Sequence, residues 1–421
     1  MTFEKITHHG QSLFWLFIHV LMTFIIPIKQ FILPLPKNNK HKPNHNVLYL
    51  TFVGIAYDGR VRKSVDALLA KGYRVELIKP IDMQHDKVVS WHPNLTITLL
   101  GRSGSFAYFP YIYDWQIMHY IKKSTASKIY CRDLFTGIMG VLCARLSDKE
   151  SIVDFFEWYS EAKEYNYRKR CTLPKPSWKK KLFRFYERYI CTYATRLITN
   201  NTSFAKGIAQ GVAPESAFTF IKNVPDSVDI KTDDSFKLKN FIPETFHHKK
   251  ILYYVGQLSF DRKLDTIIIG MQWLPDYVLI IQGSGFVEME HHFKETIRQS
   301  GAADRVFFLP PVPDRDIINY AHTADIGVFV CDSNDNKMFH ALPNKLFEYI
   351  YAGVPQVSSD GFEIRQFIEN TDVGLIFDAY DPVSFAQRVN DISEPQTYQH
   401  IKSHVLKARA NLIAEPGFQQ I

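Results

Sequence analysis

Short apolar runs alternate with amphipathic segments along most of the chain. In the first half, NVLYLTF (46–52) has the pattern of a buried strand, RVRKSVDALLAKG (60–72) that of an amphipathic helix, and YRVELIK (73–79) that of the next strand. Further strand candidates follow at 95–100, 128–131, 151–155 and 196–200. This alternation predicts parallel strands joined by right-handed crossovers, which is a doubly wound α/β sheet.

A second series of the same kind follows in the other half of the chain. Its apolar runs are 250–256, 277–283, 305–310, 326–330, 355–359 and 374–377. The polar, proline-interrupted stretch before it is typical of a linker. The predicted units are an extension (1–45), a first Rossmann-like domain (46–225), a linker (226–249), a second Rossmann-like domain (250–395) and a C-terminal helix (396–421). Two such domains indicate ligand binding in the cleft where the carboxyl ends of both sheets face each other.

The extension contains a long apolar run, whereas the segments of the two predicted domains alternate between apolar and polar residues. Residues 13–28 are nearly continuous apolar sequence, and lysines follow at 37, 40 and 42. This run is shorter than the ~20 residues that cross a bilayer as a straight helix. It favours an in-plane or re-entrant membrane anchor over 13–36, and a helix buried against the globular body is the alternative. If the segment spans, the lysines after it place the body in the cytoplasm, at the inner face of the cell membrane.

The net charge and the cysteines bear on the binding partner and on the cellular compartment. A formal net charge of +7 permits an anionic partner such as a phosphate or a lipid headgroup. The five cysteines are scattered and odd in number, which indicates reduced thiols in the cytosol and argues against a disulfide framework or a zinc site.

Several familiar motifs are missing from the sequence. No G-x-G-x-x-G follows the first strand, and the pair Gly283 and Gly285 in QGSGF lacks a third glycine. No Walker motif, H-E-x-x-H or G-x-S-x-G occurs, and DSNDN (332–336) fits a surface turn better than a metal site. We therefore predict neither a cofactor nor a metal ion.

Two stretches carry a family resemblance: VGQLSFDRKLD (255–265) and ALPNKLFEYIYAGVPQVSSDGFE (341–363). Together they resemble the GT-B glycosyltransferases, in particular family 4 of the retaining nucleotide-sugar enzymes, and supporting pieces extend the resemblance from Asn46 to about Asn390. It implies two Rossmann-like domains and a hexosyltransferase-type activity that retains anomeric configuration without a metal. The departing phosphate oxygen would help to deprotonate the incoming hydroxyl on the same face.

The resemblance also implies site residues. Expelling a diphosphate requires cations where charge grows, and Arg262 and Lys345 are the candidates for this catalytic role. Glu348, one helical turn beyond Lys345, would accept hydrogen bonds from the ribose hydroxyls. The other predicted donor-binding residues are Gly256, Gln257, Lys263, His340, Pro343, Asn344 and Leu346. The alternative for Lys345 and Glu348 is an ordinary ion pair on a helix surface.

The sequence departs from the family pattern at three positions. Gln257 replaces a frequent arginine, His340 a frequent glutamate, and Phe156 a histidine of this branch. The loop that would face the donor from the first domain contains Gly54, Asp58, Gly59 and Arg60. Asp154 and Glu157 are candidates for the acceptor side, with a structural role as the alternative.

A basic stretch at 163–188 holds ten Lys or Arg residues against two Glu, interleaved with aromatic residues. Apolar residues at 178, 182, 185, 186 and 189 form a helical stripe. Such a helix can lie on an anionic membrane or receive a lipid diphosphate, and the alternative is a helix that packs on the first domain with a solvated basic face. No nucleic-acid-binding motif is visible, so nucleic acid is not an expected partner.

These patterns predict a cytoplasm-facing, membrane-associated glycosyltransferase. Its substrates would be a nucleotide sugar and a glycan acceptor, the latter lipid-linked and destined for a bacterial surface polysaccharide. Two alternatives remain open: a GT-B sugar-nucleotide epimerase, and a non-catalytic protein that binds nucleotide sugars or serves as a scaffold.

Overall fold

The computed structural model describes residues 45–51, 59–80, 89–100, 120–166, 171–225, 230–285, 287–415 and 417–421. The predicted membrane segment 13–36 lies outside these residues, and so do Gly54 and Asp58 of the predicted facing loop.

Fifteen strands occur within the described residues, and they form two large parallel sheets and one hairpin. The first sheet has the order β3-β2-β1-β4-β5-β8-β9, and the second has the order β12-β11-β10-β13-β14-β15. The strands of the first half are β1 (Asn46–Leu50), β2 (Arg74–Pro80), β3 (Leu95–Leu100), β4 (Lys128–Arg132), β5 (Glu150–Phe155), β6 (Glu164–Asn166), β7 (Cys171–Leu173), β8 (Arg196–Thr199) and β9 (Phe218–Phe220). Those of the second half are β10 (Lys250–Val255), β11 (Tyr277–Gln282), β12 (Val306–Leu309), β13 (Ile326–Phe329), β14 (Gln356–Ser359) and β15 (Gly374–Phe377).

Helices cover the faces of both sheets. Those of the described residues are α1 (Gly59–Ala70), α2 (Asp133–Ser147), α3 (Ser177–Tyr193), α4 (Thr202–Ala209), α5 (Leu264–Gly270), α6 (Val287–Gln299), α7 (Ile317–Ala321), α8 (Asn336–Phe339), α9 (Asn344–Ala352), α10 (Phe362–Thr371), α11 (Pro382–Ser393) and α12 (Pro395–Ala414). The central strands are buried almost from end to end because helices exclude water from both of their faces. The predicted doubly wound architecture with two Rossmann-like domains is confirmed.

The segment predicted as a linker packs on the second domain. Three short 3-10 helices occupy Asp234–Phe236, Leu238–Phe241 and Glu244–Phe246. Leu238 and Ile242 are buried in the hydrophobic core of the second domain, called the second core below. Because most of the segment is polar, its sequence pattern does not predict that these two apolar residues are buried.

The end of the described chain returns to the first domain. Val405 and Leu412 of α12 are buried in the second core, whereas Phe418 packs into the core of the first domain. An ion pair of 2.8 Å joins Lys222, just after β9, to Glu415, just after α12. The helix predicted at 396–421 therefore ends earlier, and the residues after it belong to the first domain.

The basic stretch contains more structure than the predicted helix. Strands β6 and β7 pair antiparallel before α3 begins. On α3 the predicted apolar stripe is divided, because Tyr186 is buried whereas Trp178 and Phe185 are 51% and 38% exposed. The buried side of the helix also contains Phe183 and Ile190, which are not part of the predicted stripe. Within the described ranges, no helix combines the length and apolar content that crossing a bilayer requires.

Candidate functional site

A cleft lies where the carboxyl ends of β10 and β13 meet. These neighbouring strands stand at the centre of the second sheet, where the strand order reverses direction. Open parallel sheets bind ligands at such a switch point because the loops leaving the two strands diverge and leave a crevice. The loop after β10 carries Gly256 and Gln257, and both line the cleft.

Two backbone loops form the floor of the cleft by unusually close approach. Leu258 N–H donates to Ser284 O over 2.9 Å, and Gly256 N–H donates to Gln282 O over 3.0 Å. A Cβ atom added at Gly283 would lie 1.8 Å from Gly256 O, so only glycine fits there. The QGSGF stretch thus has a packing function: it allows the loop after β11 to support the loop after β10.

Helix α9 is held over the second sheet by Tyr349. The Tyr349 hydroxyl lies 3.0 Å from Tyr253 O and 2.9 Å from Val328 O. It has one proton, which it can donate to either carbonyl oxygen. The ring lies directly on Gly327, where a Cβ atom would come within 2.5 Å of it. The N-cap of α9 is Pro343, whose side chain cannot accept a hydrogen bond. Leu346 N–H donates to Pro343 O over 3.3 Å, so the amides of Asn344 and Lys345 are the first-turn donors that a ligand could meet.

Lys345 and Glu348 pair with each other on α9. Lys345 Nζ lies 2.9 Å from Glu348 Oε2 and 3.2 Å from Oε1. The lysine side chain also passes along the β10 loop, with Cε 3.7 Å from the position of a Cβ atom on Gly256. Lys345, Pro343 and Asn344 line the cleft, whereas Leu346 is fully buried beneath it. Six of the ten predicted donor residues thus line the cleft, whereas Glu348 is not part of the lining and meets it through its ion pair with Lys345.

The adjacent basic residues Arg262 and Lys263 point in different directions. Arg262 lines the cleft. Burial works against its charge, but the carboxylate of Asp261 raises the pKa of Arg262 above its ordinary value. Lys263 Nζ instead lies 4.4 Å from the ring centroid of Tyr380, a cation–π contact away from the cleft lining.

A further cation of the cleft, Lys337 on α8, is missing from the predicted site residues. Its Nζ donates to Glu157 Oε2 over 2.8 Å, which joins the second domain to the first. Burial alone would raise the pKa of Glu157, but Lys337 and Arg262 lower it overall. Burial likewise works to lower the pKa of Lys337, and Glu157 reverses that effect. Because Arg262 also acts on Lys337, the two cations share one electrostatic environment.

Other polar contacts join the domains beside the cleft. Lys163 Nζ lies 3.0 Å from Asp332 Oδ2 and 3.8 Å from Asp335 Oδ2. At the N-terminus of α4, the Ser203 N–H donates to Glu363 Oε1 over 3.0 Å, where the helix dipole also favours a carboxylate. These contacts hold the two domains together around the cleft.

His340, a predicted donor residue, lies in an aromatic cluster rather than in the cleft lining. Its ring is tilted or edge-on to Trp158 at 6.0 Å and Phe362 at 5.7 Å between centroids. Asn201 Nδ2 donates to His340 O over 3.2 Å. Since Trp158 and Asn201 belong to the first domain, His340 contributes to the domain contact.

Arg60 and Asp154 form a buried pair inside the first domain. Arg60 Nη2 lies 2.7 Å from Asp154 Oδ1, and Nε lies 2.9 Å from Oδ2. Tyr130 donates to the same carboxylate over 3.1 Å, and Arg60 also donates to Ile221 O. Both ionic side chains are excluded from solvent. These contacts favour the structural role for Asp154, whereas Glu157 faces the cleft. Gly59 begins α1 beside Arg60.

The cleft has a volume of about 180 Å³ and draws its walls from both domains. The first domain contributes Phe156, Glu157, Asn200 and Phe204. The second contributes the cations Arg262, Lys337 and Lys345. Three cations beside the N-terminus of α9 favour a ligand with several negative charges.

Residues 236–411 match the family of glycosyl transferases group 1. The match covers the second domain and contains every predicted donor residue. The search of curated proteins found no match. The match covers less than half of the chain and supports the predicted family for the second domain.

Three solved structures illustrate the likeness of this chain to known folds. Sucrose-phosphate synthase from Thermosynechococcus elongatus aligns with a TM-score of 0.72 at 13% identity, covering 90% of this chain and 97% of that one. HepE from Anabaena, solved with UDP, gives 0.68 at 14% identity, with 89% and 97% covered. WaaG, a glycosyltransferase involved in lipopolysaccharide biosynthesis, gives 0.64 at 13% identity, with 89% and 98% covered. At these identities the likeness shows the fold, which is the two-domain GT-B arrangement.

Proposed function

We propose that the protein is a retaining, metal-independent glycosyltransferase of the hexosyltransferase type. It moves a sugar from a nucleotide-sugar donor to a glycan acceptor, and the acceptor is lipid-linked and belongs to a bacterial surface polysaccharide. The observation that carries the proposal is the convergence of Arg262, Lys337 and Lys345 on one cleft between two domains. A donor diphosphate is the ligand whose charge this cleft matches.

The donor would sit with its diphosphate among these cations and its ribose at Glu348. HepE, which shares the fold, has been solved in complex with UDP and with UDP-glucose. In this chain, Glu348 and Lys345 neutralise each other until a donor arrives. A diphosphate would then take over Lys345, which leaves both carboxylate oxygens of Glu348 free to accept from the ribose diol.

The proposed reaction needs stabilisation of the leaving group more than a protein nucleophile. The bond between the anomeric carbon and the phosphate oxygen breaks, and the diphosphate leaves with the electron pair. The acceptor oxygen forms its bond to the same carbon on the same face, and its proton passes to the departing phosphate oxygen. Arg262 and Lys345 stabilise the charge that grows on that phosphate.

The acceptor side is proposed from the first domain. Glu157 reaches the cleft from the loop after β5 and is the candidate that would meet an acceptor hydroxyl. WaaG, another protein of this fold, is involved in lipopolysaccharide biosynthesis. A lipid-linked acceptor would require this protein to work at a membrane surface.

Helix α3 offers a surface suited to anionic lipid at the inner face of the cell membrane. The exposed rings of Trp178 and Phe185 share a side of the helix with exposed Lys181 and Arg188. Aromatic and basic side chains on one exposed face are typical of helices that lie in a membrane interface. The apolar segment 13–36 would supply a second attachment in the proposed arrangement.

A transfer assay combined with a variant of the donor site tests the catalytic proposal. The Glu348→Ala variant should lose about 10- to 100-fold in donor affinity, because a hydrogen bond to a charged group contributes about 1.5–3 kcal/mol. Glu369→Ala is the matched control, since Glu369 pairs with Arg365 on the exposed side of α10. The anomeric configuration of the product, read by NMR, tests retention.

The alternatives give different results in the same assay. A scaffold protein would bind UDP sugars, yet wild type and Glu348→Ala would show equal, background turnover. An epimerase would convert the donor without any acceptor. Either outcome overturns the transferase proposal.

Vesicle binding tests the membrane proposal separately. The wild-type chain should cosediment with vesicles that contain phosphatidylglycerol more than with phosphatidylcholine vesicles. Changing Trp178 and Arg188 to alanine should weaken that preference, whereas Lys206→Ala should not, because Lys206 is an exposed cation on a different helix, α4. A chain lacking residues 1–42 separates the contribution of the apolar segment, and sedimentation that none of these changes affects would contradict the proposal.

A further inference from the structure

Three potential metal ligands converge on the outer side of the second domain, away from the cleft lining. Asp372 Oδ2 lies 2.6 Å from His400 Nε2 and 3.0 Å from His404 Nδ1. The three ligand atoms lie within 4.8 Å of one another. Among the residues that the structure describes, no other group of three His, Cys, Asp or Glu side chains meets this geometry.

We propose that Asp372, His400 and His404 bind a zinc ion that fastens α12 to α10. Imidazole and carboxylate are ligands that zinc takes readily, and two histidines four residues apart occupy one face of a helix. The site is independent of the proposed transferase activity.

The backbone holds the three residues in place independently of any ion. Asp372 is the C-cap of α10 in the left-handed conformation, and its N–H donates to Ile368 O over 2.7 Å. On α12, Ile401 and Val405 are buried in the second core and fix the rotation of the helix. Each ligand therefore projects from a rigid element, which limits the conformational entropy lost on binding an ion.

The distances suit an ion after small side-chain adjustments. With zinc bonds near 2.0–2.1 Å, ligand atoms around a tetrahedral ion lie about 3.3 Å apart. The two rings are already close, with centroids 4.5 Å apart. All three side chains are partly exposed, so water can complete the coordination. In the absence of an ion, the same atoms form a hydrogen-bonded His–Asp–His group. To bind zinc through these atoms, each neutral imidazole would carry its proton on the other ring nitrogen, Nδ1 of His400 and Nε2 of His404.

Such an ion would act as a structural cross-link. It would connect the end of α10 to α12, the helix that leads the chain back to the first domain. A divalent ion that binds only the folded state raises stability by mass action.

Isothermal titration of the full chain with zinc chloride tests the site, using tag-free protein pretreated with a chelator. Wild type should bind one equivalent, and saturating zinc should raise the melting temperature by about 2–4 °C. His400→Ala, His404→Ala and Asp372→Asn should each lower the affinity more than about tenfold, because even the loss of a residue that only orients a metal ligand costs that much.

His292→Ala is the matched control. His292 pairs with Asp265 over 2.8 Å, but this pair has no third ligand in the described structure. The control should bind zinc as the wild type does. Hydrogen exchange provides a readout that is independent of stability: zinc should slow amide exchange at the end of α10 and in the first turns of α12 in wild type, and not in His404→Ala. Absence of binding in wild type, or binding that the three ligand variants leave unchanged, would overturn the proposal.

Discussion

Glu157 of the first domain and Lys337 of the second are joined by an ion pair of 2.8 Å across the cleft. The same lysine shares its electrostatic environment with Arg262, so its charge is available either to the facing carboxylate or to an anionic ligand. In the proposed donor complex, the diphosphate and Glu157 would therefore compete for this one side chain.

Lys337→Ala should weaken UDP binding about tenfold or more, because a charge-assisted hydrogen bond to phosphate is lost. Binding of uridine, which carries no phosphate, should change little. Calorimetric titration with both ligands measures the difference.

Lys163→Ala is the control for this change, since Lys163 joins the domains through Asp332 without lining the cleft. It should leave the affinity for UDP close to that of wild type. Equal losses in the two variants would show that Lys337 acts only by joining the domains.

Glu187 on α3 gives a prediction about pH. Burial raises its pKa to about 7, while Ser160 acts in the opposite direction and Glu161 and Arg184 have smaller, opposing effects. The folded state thus keeps the proton up to about pH 7, whereas the unfolded state loses it near its ordinary value of 4.5. Between these values the free energy of unfolding falls as pH rises, by a total of about 3 kcal/mol.

Glu187→Gln should remove that pH dependence. At pH 8 the variant avoids the cost of a buried negative charge, which stabilises the folded state relative to wild type. Against this, the side chain of Glu187 accepts from Ser160 N–H and Gln210, and one of these hydrogen bonds would weaken. We expect a net gain of about 1–3 kcal/mol in the free energy of unfolding at pH 8. The gain should vanish near pH 4.5. Urea denaturation at several pH values measures it, with Glu150→Gln at an exposed pair as the control. A gain that is constant with pH would contradict the assignment.

Gly283→Ala should disrupt the cleft floor. Its Cβ atom would lie 1.8 Å from Gly256 O, so the loop that carries Gln257 must move. We expect a loss of about 1–3 kcal/mol in stability together with weaker UDP binding, measured by thermal denaturation and titration. Gly301→Ala is the control, because Gly301 has a φ of +67° and no atom within 4 Å of an added Cβ. It should lose some stability but keep UDP affinity, and equal affinities in both variants would refute the role of Gly283.

Asp154→Asn should destabilise the first domain by about 3–5 kcal/mol, because it leaves the buried Arg60 charge without its ionic partner. Thermal denaturation measures the loss. Glu157→Gln, at the partly exposed pair with Lys337, should cost less stability and change UDP affinity more. A stable Asp154→Asn protein with normal UDP affinity would instead support a role for Asp154 at the acceptor.

The apolar runs locate most strands to within one or two residues, because a strand buried on both faces must be apolar along its length. The short strand β9 and the hairpin β6–β7 lack such runs, so the pattern does not predict them. Lys337 escapes prediction for another reason: it lies on a one-turn helix outside the resembling motifs, and its partner is 180 residues away in the chain. Contacts between domains, such as the one that orients His340, depend on how two surfaces meet and leave no local pattern.

The ion pair between Lys222 and Glu415 has a mechanical consequence. Lys222 follows the last strand of the first sheet and Glu415 follows α12, so the two places where the chain passes between domains lie side by side. Two adjacent crossings would form a hinge that permits bending about one line and resists twisting. The domains should then separate most at points far from that line, and a spin label or fluorophore pair placed across the cleft would report the opening angle directly.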